Sequence, residues 1–308
     1  MENIKIGTRG SKLALAQTEL VKAALLAANP ALNVSIEIIK TQGDVQLDVP
    51  LAGRLDKGFF TTEIEAALVD GSIDLAVHSL KDLPVVLPSG LQLAAVLPRE
   101  DVRDVIITTS GKKLEELDAN DVVATSSLRR KAQLLALNPK LQLVDIRGNV
   151  DTRLRKLHEG YCSALVIAAA GIHRLGIKPE HCEYLPYQQM IPAASQAAVG
   201  IEIAAGRTDV FDLLQQINHS ATWQSVTAER IFLQTIEGGC HVPSGCFCEP
   251  VEGGFRLTAF ISRTDGSDMI RESVLSSALL LNESAVQLAH SLLNKGGREL
   301  MALYCSHK

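Results

Sequence analysis

Aromatic residues are scarce in this chain of 308, at 4% with a single tryptophan. That argues against a stacking surface for single-stranded nucleic acid. Apolar runs are short, and none approaches the ~20 residues a bilayer-spanning helix requires. The opening segment MENIKIGTRGSK has neither the basic start nor the apolar stretch of a secretory signal, so a cytoplasmic location is expected. In that reducing compartment a cysteine is by default a thiol, which weakens a disulfide reading of the six cysteines. The Asn-x-Ser matches at Asn33, Asn218 and Asn282 then carry no meaning. Walker A, G-x-G-x-x-G after a strand, H-E-x-x-H and G-x-S-x-G are all missing, so nucleotide-dependent chemistry has no support. Internal repeats and low-complexity tracts are missing as well.

What is present is a chain 46% hydrophobic, long enough for two or three domains. Its first two thirds alternate short aliphatic runs with amphipathic helical patterns. IKIG precedes KLALAQTELVKAALLAA, which Asn29-Pro30 stops, and VSIEII precedes TTEIEAALVDG. After DLAVHS and LQLAAVLP the pattern restarts with DVIITT, a helix KKLEELD, VVATSS, LRRKAQLLALNP, QLVDIR, VDTRLRKLHEG and SALVIAAAG. This predicts two units of parallel sheet with helices on both faces. The last third predicts a small α+β domain: a long helix TWQSVTAERIFLQTIEGG, a hairpin turning at Asp265-Gly266, and a closing helix SAVQLAHSLLN.

The net charge is -5, with a pI near 5.9. Between Arg129 and Lys156, however, eight basic residues face two acidic ones. The polar motifs Thr8-Arg9-Gly10-Ser11, Ser79-Leu80-Lys81-Asp82, Ser126-Ser127-Leu128-Arg129-Arg130 and Arg147-Gly148-Asn149 all begin where a predicted strand ends. In a doubly wound sheet such points share the edge where ligands bind. Helix-start amides, hydroxyls and guanidinium forks there suit several carboxylate or phosphate groups. Asp82 is an acid in a basic rim, suited to balancing a cation or moving a proton, although a helix cap is the plainer reading. His78 reads as a packed strand residue.

The segment IEGGCHVPSGCFC holds three cysteines in a C-x5-C-x-C spacing beside His241, which does not match zinc-ligand spacing, so no metal is expected. Cys240 follows Gly238-Gly239 on an open loop. Cys246 and Cys248, alternating with Phe247, read as two buried thiols on one strand face.

The segments GTRGSKLAL, TQGD, KGFF, AVHSLKDLP, ATSSLRRKAQL, IRGNVDTRL, AAAGIHRLG and IEGGCHVP, in this order and spacing from about residue 4 to 245, resemble the porphobilinogen deaminase (hydroxymethylbilane synthase) family. The resemblance implies an α/β chain of three domains. Two would be doubly wound and periplasmic-binding-protein-like, 1–98 plus 198–217 and 99–197, and 218–308 would form the small α+β domain. It implies condensation of four porphobilinogen molecules, head to tail with loss of ammonia, by a cytoplasmic monomer that binds neither nucleic acid nor membrane. By this likeness Asp82 is the catalytic acid, and Cys240 anchors one covalent dipyrromethane cofactor per chain through a thioether. Lys81, Ser127, Arg129 and Arg130 would hold that cofactor. Arg9, Ser11, Arg147, Arg153, Arg174 and Gln196 would bind substrate, with Lys57 and Phe60 as loop candidates. The family's Pro-Ala-x-Gly-Gln-Gly reads PAASQA here, so Ser195 and Ala197 stand where glycines are usual. Both resist positive φ, which predicts a stiffer or reshaped loop. The approach to Lys57 reads Arg54-Leu55-Asp56 in place of a glycine-rich stretch. Two rival readings are an anion-binding module without chemistry and an RNA-binding protein with steeply salt-dependent affinity.

Overall fold

The computed structural model describes residues 3–42, 61–236 and 242–305. Packing divides the chain into two compact units, Met1–Glu100 with Ala197–Trp223, and Asp101–Gln196 with Gln224–Lys308. Three sheets lie within them.

The first unit holds β1 (Asn3–Thr8), α1 (Lys12–Ala28), β2 (Asn33–Ile38), α2 (Thr62–Val69), β3 (Leu75–Ser79), β4 (Leu91–Val96), β10 (Val199–Ala204) and α6 (Thr208–Gln215). α1 starts where the Ser11 hydroxyl accepts the Ala14 N–H at 3.2 Å. It ends at Asn29, before Pro30. Its buried Gln17, Val21 and Leu25 recur at the four-residue spacing of one helix face. The sheet order is β2-β1-β3-β10-β4. One face buries Ile4, Ile6, Leu75, Val77 and Ile201 beneath α1 and α6, and on the other Ile73 and Ala76 pack against Ile64 and Leu68 of α2.

The second unit repeats this plan with β5 (Asp104–Thr108), β6 (Val122–Ala124), α3 (Leu128–Leu137), β7 (Gln142–Val144), α4 (Val150–His158), β8 (Ala164–Ala168), α5 (Ala169–Arg174) and β9 (Cys182–Leu185). Its order is β7-β6-β8-β5-β9. Neither sheet is wholly parallel, which corrects the sequence expectation. β10 runs antiparallel to β3 and β4, and β5 runs antiparallel to β8 and β9. Each enters its sheet from a distant part of the chain. Both are mostly apolar and buried on both faces, as central strands usually are, and that composition does not encode direction. The helix expected over KKLEELD is a single 3-10 turn, Leu114–Glu116. The Glu116 carboxylate takes the Lys113 N–H and Glu183 takes that of Leu114, both at 2.7 Å, which satisfies the first donors of the turn, and the chain becomes extended at Leu117.

Helix α7 (Ser220–Thr235) leads to the third sheet, β11 (Ser244–Val251), β12 (Gly254–Ser262) and β13 (Met269–Ser276), in meander order, then α8 (Leu281–Leu292) and α9 (Arg298–Cys305). Phe232, Cys246, Cys248, Leu257, Ala259, Leu288 and Leu292 form its core. Burying a side chain as large as Phe232 contributes about 1.5–3 kcal/mol. Gly266, with φ +73, turns the β12–β13 hairpin so close to α3 that a Cβ there would lie 2.5 Å from the Ala132 carbonyl and the Ala136 nitrogen. Two doubly wound α/β domains and a small three-stranded α+β domain make up the fold.

Candidate active site

In the first unit β1 and β3 are parallel neighbours, so their C-terminal ends open on one edge. Arg9 and Ser11 follow β1 there, with Ser11 at the start of α1. Lys81 and Asp82 follow β3, in the 3-10 turn Leu80–Asp82. This turn replaces the cap that the plainer reading assigns to Asp82, whose residue is exposed while Leu80 is fully buried. The turn is seated by the Leu80 N–H on the Ala198 carbonyl at 3.0 Å. Behind it the Ser79 hydroxyl meets the Gln17 amide of α1 at 2.9 Å. One edge thus carries guanidinium, hydroxyl, ammonium and carboxylate.

The second unit gathers the rest at the ends of β6 and β7, also parallel neighbours. The Ser127 hydroxyl caps α3 by accepting the Arg130 N–H at 3.5 Å. Ser126 Oγ donates to the Ile146 carbonyl at 2.8 Å, tying the two strand ends together. Gly148, with φ +109, makes the turn into α4, and Arg153 Nε donates to its carbonyl at 2.8 Å, with Arg147 beside it. Arg174 lies at the end of α5, more than one turn from the strand edge. Lys57, Phe60 and Cys240 lie outside the described residues.

Arg129 and Arg130 are both buried, and sequence reasoning did not anticipate what holds them. Asp104, at the start of β5 and fully enclosed, accepts Arg129 Nη2 at 2.8 Å and Arg130 Nη2 at 2.7 Å. The Gln196 side-chain amide donates to the same carboxylate at 2.9 Å and to the Val102 carbonyl at 2.8 Å. The remaining Nη1 groups reach the Ile191 and Val166 carbonyls at 2.6 and 3.1 Å. Burial alone would raise the Asp104 pKa, but the two guanidiniums outweigh it and hold the carboxyl far below the usual range. The balance differs for Arg129. Burial and the neighbouring Arg130 lower its pKa by more than Asp104 raises it. Two buried cations share one carboxylate, and Arg129 Nε and Arg130 Nε have no acceptor among the described residues. An excess of buried positive charge with unused donors suits an anionic ligand.

Beside this network the PAASQA segment corrects the expectation of a reshaped loop. Ser195 and Ala197 take φ of 63 and 69, the left-handed conformation that glycine would adopt. The surroundings impose it: Glu229 of α7, fully buried, accepts the Ser195 N–H at 2.6 Å and the Cys248 N–H of β11 at 2.8 Å. The Gln196 N–H donates to the Ala193 carbonyl at 3.0 Å. Gln196 therefore reaches Asp104 at the expense of local strain.

Burial pushes the Cys162 thiol up to about 11 and raises that of Cys182. Cys246 and Cys248 are fully enclosed. Buried thiols of this kind are poor nucleophiles. Among the described residues no group of three His, Cys, Asp or Glu side chains could hold a metal ion, and no helix is long and apolar enough to cross a membrane.

The family model "Porphobilinogen deaminase, dipyromethane cofactor binding domain" matches residues 4–212, and "Porphobilinogen deaminase, C-terminal domain" matches 223–295. The chain belongs to the porphobilinogen deaminase family. Porphobilinogen deaminases from Syntrophobacter fumaroxidans, Syntrophomonas wolfei and Desulforudis audaxviator are similar to it at 43%, 44% and 45% identity. The alignments cover 97%, 98% and 97% of this chain and 96%, 98% and 97% of those proteins. Solved structures resembling it include a putative methionine-binding lipoprotein from Bacillus subtilis, with 14% identity and a TM-score of 0.43 over 71% of this chain and 91% of that one. The periplasmic VFT2 domain of Bordetella pertussis BvgS gives 13% and 0.42 over 70% and 86%.

Proposed function

We propose that this chain joins four porphobilinogen molecules head to tail, releasing ammonia at each step, to give a linear tetrapyrrole on a covalent dipyrromethane primer. The match of a dipyrromethane-binding family model to residues 4–212 carries this reading. The described residues fit the cofactor on chemistry: a dipyrromethane bears several carboxylates, and the site offers two buried guanidiniums that share one carboxylate and keep unused Nε donors. When bound, that group would supply the free pyrrole carbon to which the first substrate ring is joined, each later ring being joined to the one before it.

The residue roles belong to the same proposal. Lys81, Ser127, Arg129 and Arg130 hold cofactor carboxylates, with Cys240 as the covalent anchor. Arg9, Ser11, Arg147, Arg153, Arg174 and Gln196 bind the acetate and propionate groups of substrate and growing chain, and Lys57 and Phe60 remain loop candidates. Asp82 stands on a turn seated on β10, next to Lys81. Its carboxylate balances the positive charge that develops as ammonia leaves, and it accepts the proton lost when the rings join. The three-domain division at 1–98 with 198–217, 99–197 and 218–308 accompanies this reading, supported by three sheets with separate cores. The enzyme is taken to act as a cytoplasmic monomer without nucleic acid or membrane.

Intact mass of the denatured protein tests the covalent claim. The parent, after incubation with porphobilinogen, is expected to carry an excess of two linked pyrrole units that Cys240→Ser lacks. A parent that never gains this mass would refute the reading.

A further inference from the structure

Glu202 of β10 is fully buried, and its carboxylate has no hydrogen-bond partner among the described residues. Its polar neighbour is His78 of β3, whose Nε2 lies 3.0 Å from Glu202 Oε2 without the alignment of a hydrogen bond. From the helix packed on this face, Glu65 of α2 adds a second buried carboxylate that interacts electrostatically with both, and burial raises its pKa. Such a cluster is expensive in a core, and an apolar replacement of similar size would usually cost less. Its place in the fold suggests why it is there. β3 and β10 pair in register from Ser79 opposite Val199 to Ala76 opposite Glu202, with His78 opposite Gly200. The Leu80 N–H continues that ladder onto the Ala198 carbonyl. The Leu80 side chain sits so close to Gly200 that a Cβ there would lie 2.8 Å from Leu80 Cδ1. The Lys81–Asp82 turn therefore takes its position from the register of β3 on β10. Across that register, Glu202 and His78 are the polar side chains that meet.

We propose that Glu202, acting through His78, is a positioning residue that locks this register and so places the Asp82 carboxylate. This rests on the reading of Asp82 as the catalytic acid. A misplacement of about 1 Å is enough to cost on the order of a hundredfold in rate.

The test compares the parent with Glu202→Gln, His78→Gln, the double variant and Asp82→Asn. kcat and KM for porphobilinogen are measured per folded, cofactor-loaded molecule, with loading taken from intact mass and folding from urea unfolding. Each single change is expected to lower kcat about ten- to a hundredfold while KM stays within about twofold. The double variant should be no slower than the worse single, because the two side chains act as one unit. Amide exchange in the 79–84 segment should rise in Glu202→Gln without a matching drop in the urea midpoint. A Glu202→Gln kcat within about twofold of the parent, losses that multiply in the double variant, or a Glu202→Gln chain that does not fold would each overturn the positioning role. Asp82→Asn separates the two ideas. Normal turnover in it refutes the site reading itself, whereas an inactive Asp82→Asn beside an unimpaired Glu202→Gln refutes positioning alone.

Discussion

Replacing Ser195 with glycine should make this protein more stable, against the usual direction of a glycine substitution. Ser195 has φ 63, and holding a residue with a Cβ there costs roughly 1–2 kcal/mol. Its hydroxyl is buried with no partner among the described residues, a further cost of about 1–3 kcal/mol. Glycine removes both and gives back about 0.5–1 kcal/mol in unfolded-chain entropy. The Ser195 N–H bond to Glu229 comes from the backbone and survives the change. The net expectation is a gain of about 1–4 kcal/mol, seen as a higher urea midpoint and a melting temperature raised by about 2–4 °C per kcal/mol. Ala197→Gly is the internal control. It relieves a similar strain at φ 69, but Ala197 is buried and loses a methyl contact of about 0.8 kcal/mol, so its net change is close to zero. Circular dichroism during urea unfolding measures both, and amide exchange around Gln196 locates the gain. A Ser195→Gly variant less stable than the parent, or an Ala197→Gly gain as large as that of Ser195→Gly, would refute the argument.

Asp104→Asn removes the carboxylate that two buried guanidiniums share, and a loss of about 3–5 kcal/mol is expected by calorimetry; a loss under about 1 kcal/mol would mean the pair is held by other contacts. Because the folded Asp104 pKa is depressed, its contribution is complete above the unfolded value of about 3.9. The contribution fades as pH falls from there toward the folded value, so the stability gap between parent and Asp104→Asn should narrow in acid and stay constant from about pH 6 to 8. Gly266→Ala puts a Cβ at φ +73, 2.5 Å from the α3 backbone, and should lower the urea midpoint by the equivalent of 2 kcal/mol or more (about 1–2 from φ, the rest from displacement). An unchanged midpoint would show that the hairpin does not press on α3.

Much of this was legible in order along the chain. The alternation of strands and helices, the Ser11 and Ser127 helix starts, the Asp265-Gly266 turn and the buried Cys246 and Cys248 all follow from patterns a few residues long. The strand-end motifs at Arg9, Asp82, Arg129 and Arg147 were readable for the same reason, because a strand ending in a helix start is a local signal. Asp104 was not readable. It sits between Arg103 and Val105 as an ordinary polar residue, and its meaning comes from guanidiniums 25 and 26 positions away.

Local chemistry thus determined the elements, their caps and the residue types offered at each strand end, since propensity and capping act within a turn or two. Tertiary structure alone decided that β5 and β10 run antiparallel, that Ser195 and Ala197 take a glycine conformation, and that Glu202 meets His78 across two strands. Those outcomes depend on which distant segments share a low-dielectric interior, where burial and pairing outweigh what any short stretch prefers.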